Sequence, residues 1–223
     1  MVALFVLAVD LLYLAVIWPD WEALAGGPAP KSNFILDYEA LRREDARLPP
    51  LRWQPVPLSR VAPIMHRVVV ISEDSRFWHH PGIDTVAIAD AMESNLERGR
   101  FVYGGSTISQ QTTKNLFLHG TRDPLRKWHE LVLTLAMEQY LRKARILEIY
   151  LNIAEFGTGL FGVEAAARHY FGVSAAELTT EQAIALAASL PSPKLHNPHT
   201  ATRAYQDRRQ RISRHLAAFS RTP

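Results

Sequence analysis

The sequence predicts a mostly α-helical domain. Residues 125–152, 179–190 and 202–220 place apolar side chains three or four positions apart, which is the spacing of one helix face. At 223 residues, with 48% hydrophobic and 21% charged residues, the chain is long enough to bury one sizeable core. We therefore expect one folded unit, with at most a small second lobe.

The chain begins with its longest apolar run, MVALFVLAVDLLYLAVIW at residues 1–18. Crossing a bilayer takes about 20 apolar residues, so this run is near the lower limit. A central Asp10 costs about 2.5 to 3.5 kcal/mol on insertion, whereas each Leu, Val, Ile or Phe returns about 0.3 to 0.6 kcal/mol. The balance is modestly favourable, which predicts a transmembrane anchor.

Two alternatives stay open for this run. One is a cleavable signal peptide, because Ala23-Leu24-Ala25 has the small-x-small pattern of a cleavage site, although no basic residue precedes the run. The other is a helix buried in the domain. The predicted organisation is an anchor over residues 1–18, a juxtamembrane linker over 19–50 and a folded domain over 51–223.

The later helices can be placed from their periodicity and end signals. Residues 125–152 fit two consecutive helices or one bent helix. Residues 179–190 begin with a Thr cap shortly before Glu181-Gln182 and stop at Pro191. Earlier in the chain, residues 68–71 (VVVI) have strand propensity but also keep helical spacing with Ile64, so their structure stays ambiguous.

Residues 202–220 predict a basic amphipathic helix. Tyr205, Ile212, Leu216 and Phe219 are expected on one side, with four arginines elsewhere: Arg208, Arg209, Arg211 and Arg214. Such a helix is either a solvated terminal face or a surface that contacts anionic lipid.

Composition and failed motifs exclude several classes of site. The chain has no cysteine, so disulfides, Fe–S clusters and thiolate zinc sites are excluded. GRFVYGGS at 99–106 has Gly105 where a P-loop needs lysine, and GTGLFG at 157–162 follows a helical segment where a dinucleotide site needs a strand. Adjacent His79 and His80 do not have a metal-ligand spacing. A net charge of +3 and a pI near 9.3 favour anionic partners, without distinguishing nucleic acid from lipid headgroups or phosphate.

Polar residues are concentrated in an ordered series of clusters. The series runs EDSRFWHHPGID at 73–84, GGSTISQQTTKN at 104–115, Arg122, RKWHE at 126–130, RKARILEIYLN at 142–152 and GLFGVEAAARHYFG at 159–172. In this order the clusters resemble the motifs of the family 51 glycosyltransferases, the peptidoglycan glycosyltransferases. The resemblance covers roughly residues 55–195 and is strongest to the monofunctional members. The Ser-x-x-Lys and Lys-Thr-Gly signatures of a transpeptidase domain do not occur in this sequence.

The resemblance implies a fold, an activity and a location. The fold is all-α and lysozyme-like, with a small flexible lobe over a cleft. The activity joins lipid II into β-1,4-linked glycan strands and releases undecaprenyl pyrophosphate. The expected partners are lipid II, the growing glycan, the membrane and other cell-wall synthesis proteins. No nucleic acid and no organic cofactor are expected. The expected location is the bacterial inner membrane, with a single span and a periplasmic catalytic domain.

The resemblance also assigns roles to residues at matching positions. Glu73 matches the general base, and Glu130 matches a second essential carboxylate whose role is less defined. Residues matched to substrate binding are Asp74, Gly105, Ser106, Thr107, Gln110, Gln111, Lys114, Asn115, Arg122, Arg126 and Lys127. A divalent cation, Mg or Mn, is expected on the pyrophosphate, with no metal ligands assigned. The sequence departs from the family pattern at Ser109, Thr112 and Trp128-His129.

The chemistry of the leaving group separates this reaction from hydrolysis. A glycosidase expels a sugar alkoxide and needs a carboxylic acid to protonate it, whereas a pyrophosphate leaves as a stable anion and needs positive charge. The basic residues in the clusters favour the second chemistry. A lytic glycoside hydrolase and a non-enzymatic cell-wall scaffold remain the alternatives.

Overall fold

The structure, a computed structural model, describes residues 1–97, 99, 105–119 and 124–219. Helices dominate these ranges. They are α1 (Val2–Val16), α2 (Trp21–Ala25), α3 (Asn33–Glu44), α4 (Pro63–Glu73), α5 (Thr85–Glu97), α6 (Ile108–Phe117), α7 (Pro124–Tyr140), α8 (Lys143–Ile153), α9 (Val163–Phe171), α10 (Thr180–Ser189) and α11 (Arg203–Phe219). The prediction of a mostly helical chain is confirmed.

Local signals account for the ends of several helices. Residues 125–152 form two helices, α7 and α8, as one of the two readings predicted. In α10, the Thr179 side chain accepts a hydrogen bond from the backbone N–H of Gln182, and the Gln182 side chain reaches back to the Thr179 N–H. This capping box is the predicted start signal.

The ambiguous segment at residues 68–71 is helical. It belongs to α4, which begins with Pro63 at its first turn, where a missing N–H costs no helical hydrogen bond. Val68, Val69 and Val70 are all buried because α4 packs against both α10 and α11. Burial on more than one face explains why three consecutive valines occur in a helix despite their strand propensity.

The prediction of an all-α fold needs one correction. The described residues include a small sheet of three strands in the order β1 (Arg52–Trp53), β3 (Leu160–Phe161) and β2 (Glu155–Gly157). β1 pairs parallel with β3, and β2 pairs antiparallel with it. These strands are two or three residues long, too short for a period-2 pattern to be visible in the sequence.

The sequence GTGLFG at residues 157–162 forms the end of β2, a turn and β3, between α8 and α9. Gly162 has a φ of +84°, and a Cβ there would lie 2.8 Å from the backbone oxygen of Asn152. Glycine is therefore required by both the backbone conformation and the close packing.

The C-terminal helix is part of the core and is not a free terminal face. Tyr205, Ile212 and Leu216 are buried as predicted, and the Tyr205 hydroxyl donates a hydrogen bond to the Ala185 carbonyl at 3.1 Å. Phe219 departs from the prediction, because half of its surface is exposed.

Among the described residues, no helix combines the length and apolar character needed to cross a bilayer. The predicted anchor at residues 1–18 is therefore not confirmed. Residues 2–16 of that run form α1. The Asp10 carboxylate accepts hydrogen bonds from the indole N–H of Trp128 at 3.1 Å and from the ring Nε2 of His129 at 2.6 Å. The central acid of the apolar run thus binds the Trp-His pair that departs from the family pattern.

Residues 19–50, the predicted linker, pack against the domain through α2 and α3. Trp21 is 4% exposed, stacks on Tyr140 and meets the Phe117 ring edge-on. Ile35 and Tyr38 of α3 are also buried. The Arg145 guanidinium donates hydrogen bonds to the carbonyls of residues 24 and 26 at 2.8 and 2.9 Å. The domain boundary at residue 50 stays a prediction, but part of the segment before it belongs to the same hydrophobic core.

Two truncations test the contribution of this segment. We expect a chain lacking residues 1–18 to keep a cooperative unfolding transition. A chain lacking residues 1–30 should be less stable by about a further 3 to 5 kcal/mol, because that deletion removes the buried Trp21 ring. Urea denaturation of both chains measures the difference. Equal stability would show that the Trp21 contacts contribute little.

Candidate active site

The candidate base, Glu73, is the last residue of α4 and its side chain is 10% exposed. One carboxylate oxygen accepts a hydrogen bond from the Arg208 guanidinium at 2.5 Å. The other accepts from the Gln111 side-chain amide at 3.3 Å. The carboxylate is thus held between α11 and α6.

Burial and the neighbouring cation act on Glu73 in opposite directions. Desolvation raises the pKa of the Glu73 carboxyl above its usual value, since burial penalises the charged form. The Arg208 charge and the hydrogen bonds from Arg208 and Gln111 lower that pKa, and the Asp74 charge raises it slightly. The net effect is a raised pKa, which is expected of a carboxylate that takes a proton near neutral pH.

The polar residues that follow Glu73 form a buried hydrogen-bond network. The Asp74 carboxylate accepts from the His80 ring Nε2 at 3.0 Å and from the Ile108 backbone N–H at 2.9 Å. The Gly82 N–H donates to His80 Nδ1 at 3.1 Å. Because Nδ1 accepts, Nε2 is the protonated ring nitrogen and donates to Asp74. Asp74 therefore ties the end of α4 to the start of α6.

Asp84 fixes the far end of the same loop. Its carboxylate accepts two hydrogen bonds from the Arg76 guanidinium and one from the Ala87 N–H at 2.7 Å, at the first turn of α5. Asp74, His80 and Asp84 have potential ligand atoms within 4.8 Å of one another. However, Arg76 and backbone N–H groups already occupy these carboxylates, and an imidazole is a poor ligand for Mg²⁺. The cluster fits a hydrogen-bonded scaffold better than it fits the expected divalent cation.

The loop before α6 has one exposed residue and two that are constrained by packing. Ser106 is exposed, whereas Thr107 caps α6 through a capping box with Gln110 and donates its hydroxyl to the Gly82 carbonyl at 2.6 Å. A Cβ on Gly105 would lie 2.9 Å from Ile88, so glycine is needed for packing against α5. Gly105, Thr107 and Gln110 thus have structural roles in packing and capping, and their substrate contacts stay predictions.

A small cavity connects this loop with the candidate base. Its volume is about 160 Å³. The lining residues are Ile71, Ser72, Glu73, Asp74, Ser75, Asp84, Ala87, Gly105, Ser106 and Thr107. Five of the predicted site residues therefore line the same cavity: Glu73, Asp74, Gly105, Ser106 and Thr107.

Helix α6 carries the next predicted residues, of which Gln111 contacts Glu73 and the others lie further along the helix. Gln111 bridges two groups, because its amide N–H₂ donates to Glu73 and its carbonyl oxygen accepts from the Tyr150 hydroxyl at 3.2 Å. Lys114 lies one turn further along, with its ammonium 5.9 Å from the centre of the Phe34 ring. Lys114 and Asn115 are both partly exposed. Helical geometry therefore places Lys114 next to Gln111 on α6.

The first turns of α7 hold the second predicted carboxylate among cations. Glu130 is 3% exposed, and one of its oxygens lies 3.5 Å from the Arg126 guanidinium. The other oxygen accepts a short hydrogen bond from the Lys127 ammonium. Half of the Lys127 side chain is exposed. A buried carboxylate thus orients two cations, of which Lys127 is open to solvent.

The predicted site residues form two groups, one before and one after α6 in the sequence. The first surrounds Glu73, and the second surrounds Glu130 and includes Arg126, which lines a different cavity from the first group. α6 packs against α7, so Lys114 is carried by the element that links the two groups. Arg122 and Gly104 lie outside the described residues.

The residue that sequence analysis missed is Arg208. We predicted it away from the apolar side of α11, but it lies at Glu73 and only a quarter of its side chain is exposed. A signal was present, since Arg208 is three positions after Tyr205 and four before Ile212, on the buried stripe. Tyr150 was also missed as a polar contact. Burial raises its pKa well above the usual range, so its hydroxyl stays protonated and donates to Gln111.

Comparison with known proteins identifies the family of this chain. The family model described as "Transglycosylase" matches residues 45–217. A protein of Nitrosospira multiformis is 42% identical over 202 residues, which are 89% of this chain and 86% of that protein. One of Laribacter hongkongensis is 39% identical over 97% of this chain and 92% of its own length. One of Herminiimonas arsenicoxydans is 49% identical over 71% and 67%, respectively. All three carry the name biosynthetic peptidoglycan transglycosylase. The chain belongs to the transglycosylase family.

Proposed function

We propose that Glu73 is the general base of a peptidoglycan glycosyltransferase that polymerises lipid II and releases undecaprenyl pyrophosphate. Membership of the transglycosylase family makes the chain an enzyme of glycan polymerisation. The assignment of the residues rests on one observation above all. Glu73 is a nearly buried carboxylate, at the edge of a cavity, that forms an ion pair with Arg208.

The base would act on the sugar that attacks. The 4-hydroxyl of an acceptor saccharide is a poor nucleophile at neutral pH, so a carboxylate within hydrogen-bond reach must take its proton as the glycosidic bond forms. Gln111 and Arg208 fix the two oxygens of Glu73, so the carboxylate needs little reorganisation when the acceptor arrives. The exposed Ser106 hydroxyl at the same cavity offers a hydrogen bond to sugar or phosphate.

Positive charge would stabilise the departing diphosphate. We assign this role to Lys114, Arg126 and Lys127, together with Arg122. Arginine can bind two phosphoryl oxygens at once, and lysine neutralises charge at a point. Glu130 would act as a positioning residue here, because it holds Arg126 and Lys127 on one helix face.

The environment of the two glutamates favours transfer over hydrolysis. A glycosidase needs one carboxyl group that is protonated at the working pH. Glu73 is paired with Arg208, and Glu130 is paired with both Arg126 and Lys127, so both carboxylates lie beside cations of the kind that a departing anion needs. A non-enzymatic scaffold would not require these pairings.

We further propose a single-span location in the inner membrane with a periplasmic domain, because the polyprenyl chain of lipid II stays in the bilayer. The relatives carry names that place them in bacterial peptidoglycan synthesis. Other cell-wall synthesis proteins are proposed as partners. A divalent cation, Mg or Mn, is proposed on the diphosphate, and no step is assigned to it.

The base assignment predicts that Glu73→Gln abolishes polymerisation while the fold is retained. General base catalysis contributes roughly 10²- to 10⁴-fold, so the rate on lipid II should fall by that factor. Polymer can be followed on gels and the fold by circular dichroism, with Glu93→Gln on the exposed side of α5 as the control. Activity above a few per cent of the parent would refute the assignment.

The Arg208 contact predicts a change in pH dependence. The Arg208 charge lowers the pKa of Glu73, so Arg208→Ala should raise that pKa and move the acidic limb of kcat/KM to higher pH. Arg208→Lys retains the charge and should keep the limb close to the parent position. If the acidic limb of kcat/KM stays at the parent pH in Arg208→Ala, Arg208 does not influence the pKa of the proposed base.

The cation assignment predicts weaker use of the donor. Loss of one charged hydrogen bond to diphosphate costs about 1.5 to 3 kcal/mol, so Lys114→Ala and Arg122→Ala should each lower kcat/KM roughly ten- to a hundredfold. Arg47→Ala is the matched control, because 91% of that side chain is exposed. Unchanged kinetics would remove the substituted residue from the site. The same assay with a chelator reports whether the proposed divalent cation is needed.

A further inference from the structure

Helix α3 packs against α6, the helix that carries Lys114. α3 ends at residue 44, just before the region that matches the family model. Its start is fixed by Ser32, which is fully buried and accepts a hydrogen bond from the Ile35 N–H at 3.3 Å. Phe34 therefore lies in a well-defined first turn, beside the buried Ile35.

The Phe34 ring contacts the side chain of Lys114. The Lys114 ammonium lies over this ring, 5.9 Å from its centre. Within about 6 Å of the centre, the negative face of an aromatic ring attracts a cation. The same two segments meet again at His119, two residues after α6 ends, where the ring Nδ1 lies 3.1 Å from an Asp37 carboxylate oxygen. α3 thus contacts α6 at Lys114 and also beyond its C-terminal end.

An aromatic face holds an ammonium group without neutralising its charge. A carboxylate does neutralise its lysine partner, as Glu130 does for Lys127. The Phe34 ring carries no formal charge, so a lysine held against it keeps its full charge for a phosphoryl oxygen. A lysine side chain also loses rotamer freedom when it binds an anion, and a contact that orders the side chain beforehand reduces that cost.

We propose that Phe34 is a positioning residue for Lys114, so that α3, predicted as part of a linker, supports the binding of the departing diphosphate. This inference rests on the proposed function, because it takes Lys114 as a ligand of the diphosphate. Phe34 acts through the lysine, and its ring orders the ammonium before the substrate arrives.

The contact itself is tested by NMR on the full chain without substrate. An aromatic face shifts protons that lie over it upfield, so the methylene protons next to the Lys114 ammonium should lie upfield in the parent. They should return to the ordinary lysine position in Phe34→Leu and stay upfield in Phe34→Tyr, which keeps a ring. Lys114→Ala identifies the signal by removing it. An unshifted Lys114 signal in the parent would overturn the proposal.

Binding of inorganic pyrophosphate, measured by titration calorimetry, tests the consequence. Phe34→Leu keeps an apolar side chain but removes the ring face, so pyrophosphate should bind roughly two- to fivefold more weakly. Phe34→Tyr should keep the parent affinity. Leu36→Ala is the matched control, because Leu36 is 46% exposed on α3 and residues two positions apart face different sides of a helix. Thermal unfolding checks the fold of each variant.

A double-mutant cycle separates positioning from a general effect on the fold. In a Lys114→Ala background, Phe34→Leu should cause no further loss of pyrophosphate affinity, because its effect passes through the lysine. A loss that persists in that background, or an unchanged affinity in Phe34→Leu alone, would overturn the proposal. Pyrophosphate affinity that Lys114→Ala itself leaves unchanged would instead refute the cation assignment in the proposed function, and the role of Phe34 would fall with it.

Discussion

The ion pair between Arg208 and Glu73 joins the helices on which the candidate site depends. Glu73 ends α4, Arg208 comes from α11, Gln111 from α6, and Tyr150 of α8 holds Gln111. A carboxylate this deeply buried would be strongly destabilised without a cation and hydrogen-bond donors. The pairing therefore joins four helices and, in the same contacts, opposes the rise in the pKa of Glu73 that burial causes.

The polar stretch at residues 73–84 contains the proposed base and a set of residues that hold the loop in position. Glu73, Asp74 and Asp84 all line the cavity, but Asp74, His80 and Asp84 form hydrogen bonds within the loop and to the starts of α5 and α6. A buried network of this kind is rigid only when every member is satisfied. Its role is to hold the end of α4 against the start of α6, so that Glu73 and Gln111 meet.

The sequence predicted the features that are local and missed those that depend on packing. The helices α7, α8 and α10 have period and capping signals in the sequence. The family resemblance named Glu73 and Gln111 as candidates, and the structure brings their side chains into contact. The short strands carry too little periodicity to be predicted. Arg208 was expected on a basic face that meets either solvent or anionic lipid, and its partner Glu73 is 135 positions away in the sequence. The partners of Asp10, on α7, were likewise invisible without tertiary structure.

The two carboxylates now have different proposed tasks, with Glu73 taking a proton and Glu130 positioning cations. The most direct measurement is a crystal structure of the Glu73→Gln variant with a lipid-linked disaccharide in both sugar sites. The account predicts the acceptor 4-hydroxyl about 2.6 to 3.2 Å from the side chain at position 73, and the donor diphosphate against Lys114 and Arg126. An acceptor hydroxyl out of reach of position 73, or a diphosphate away from those cations, would contradict it.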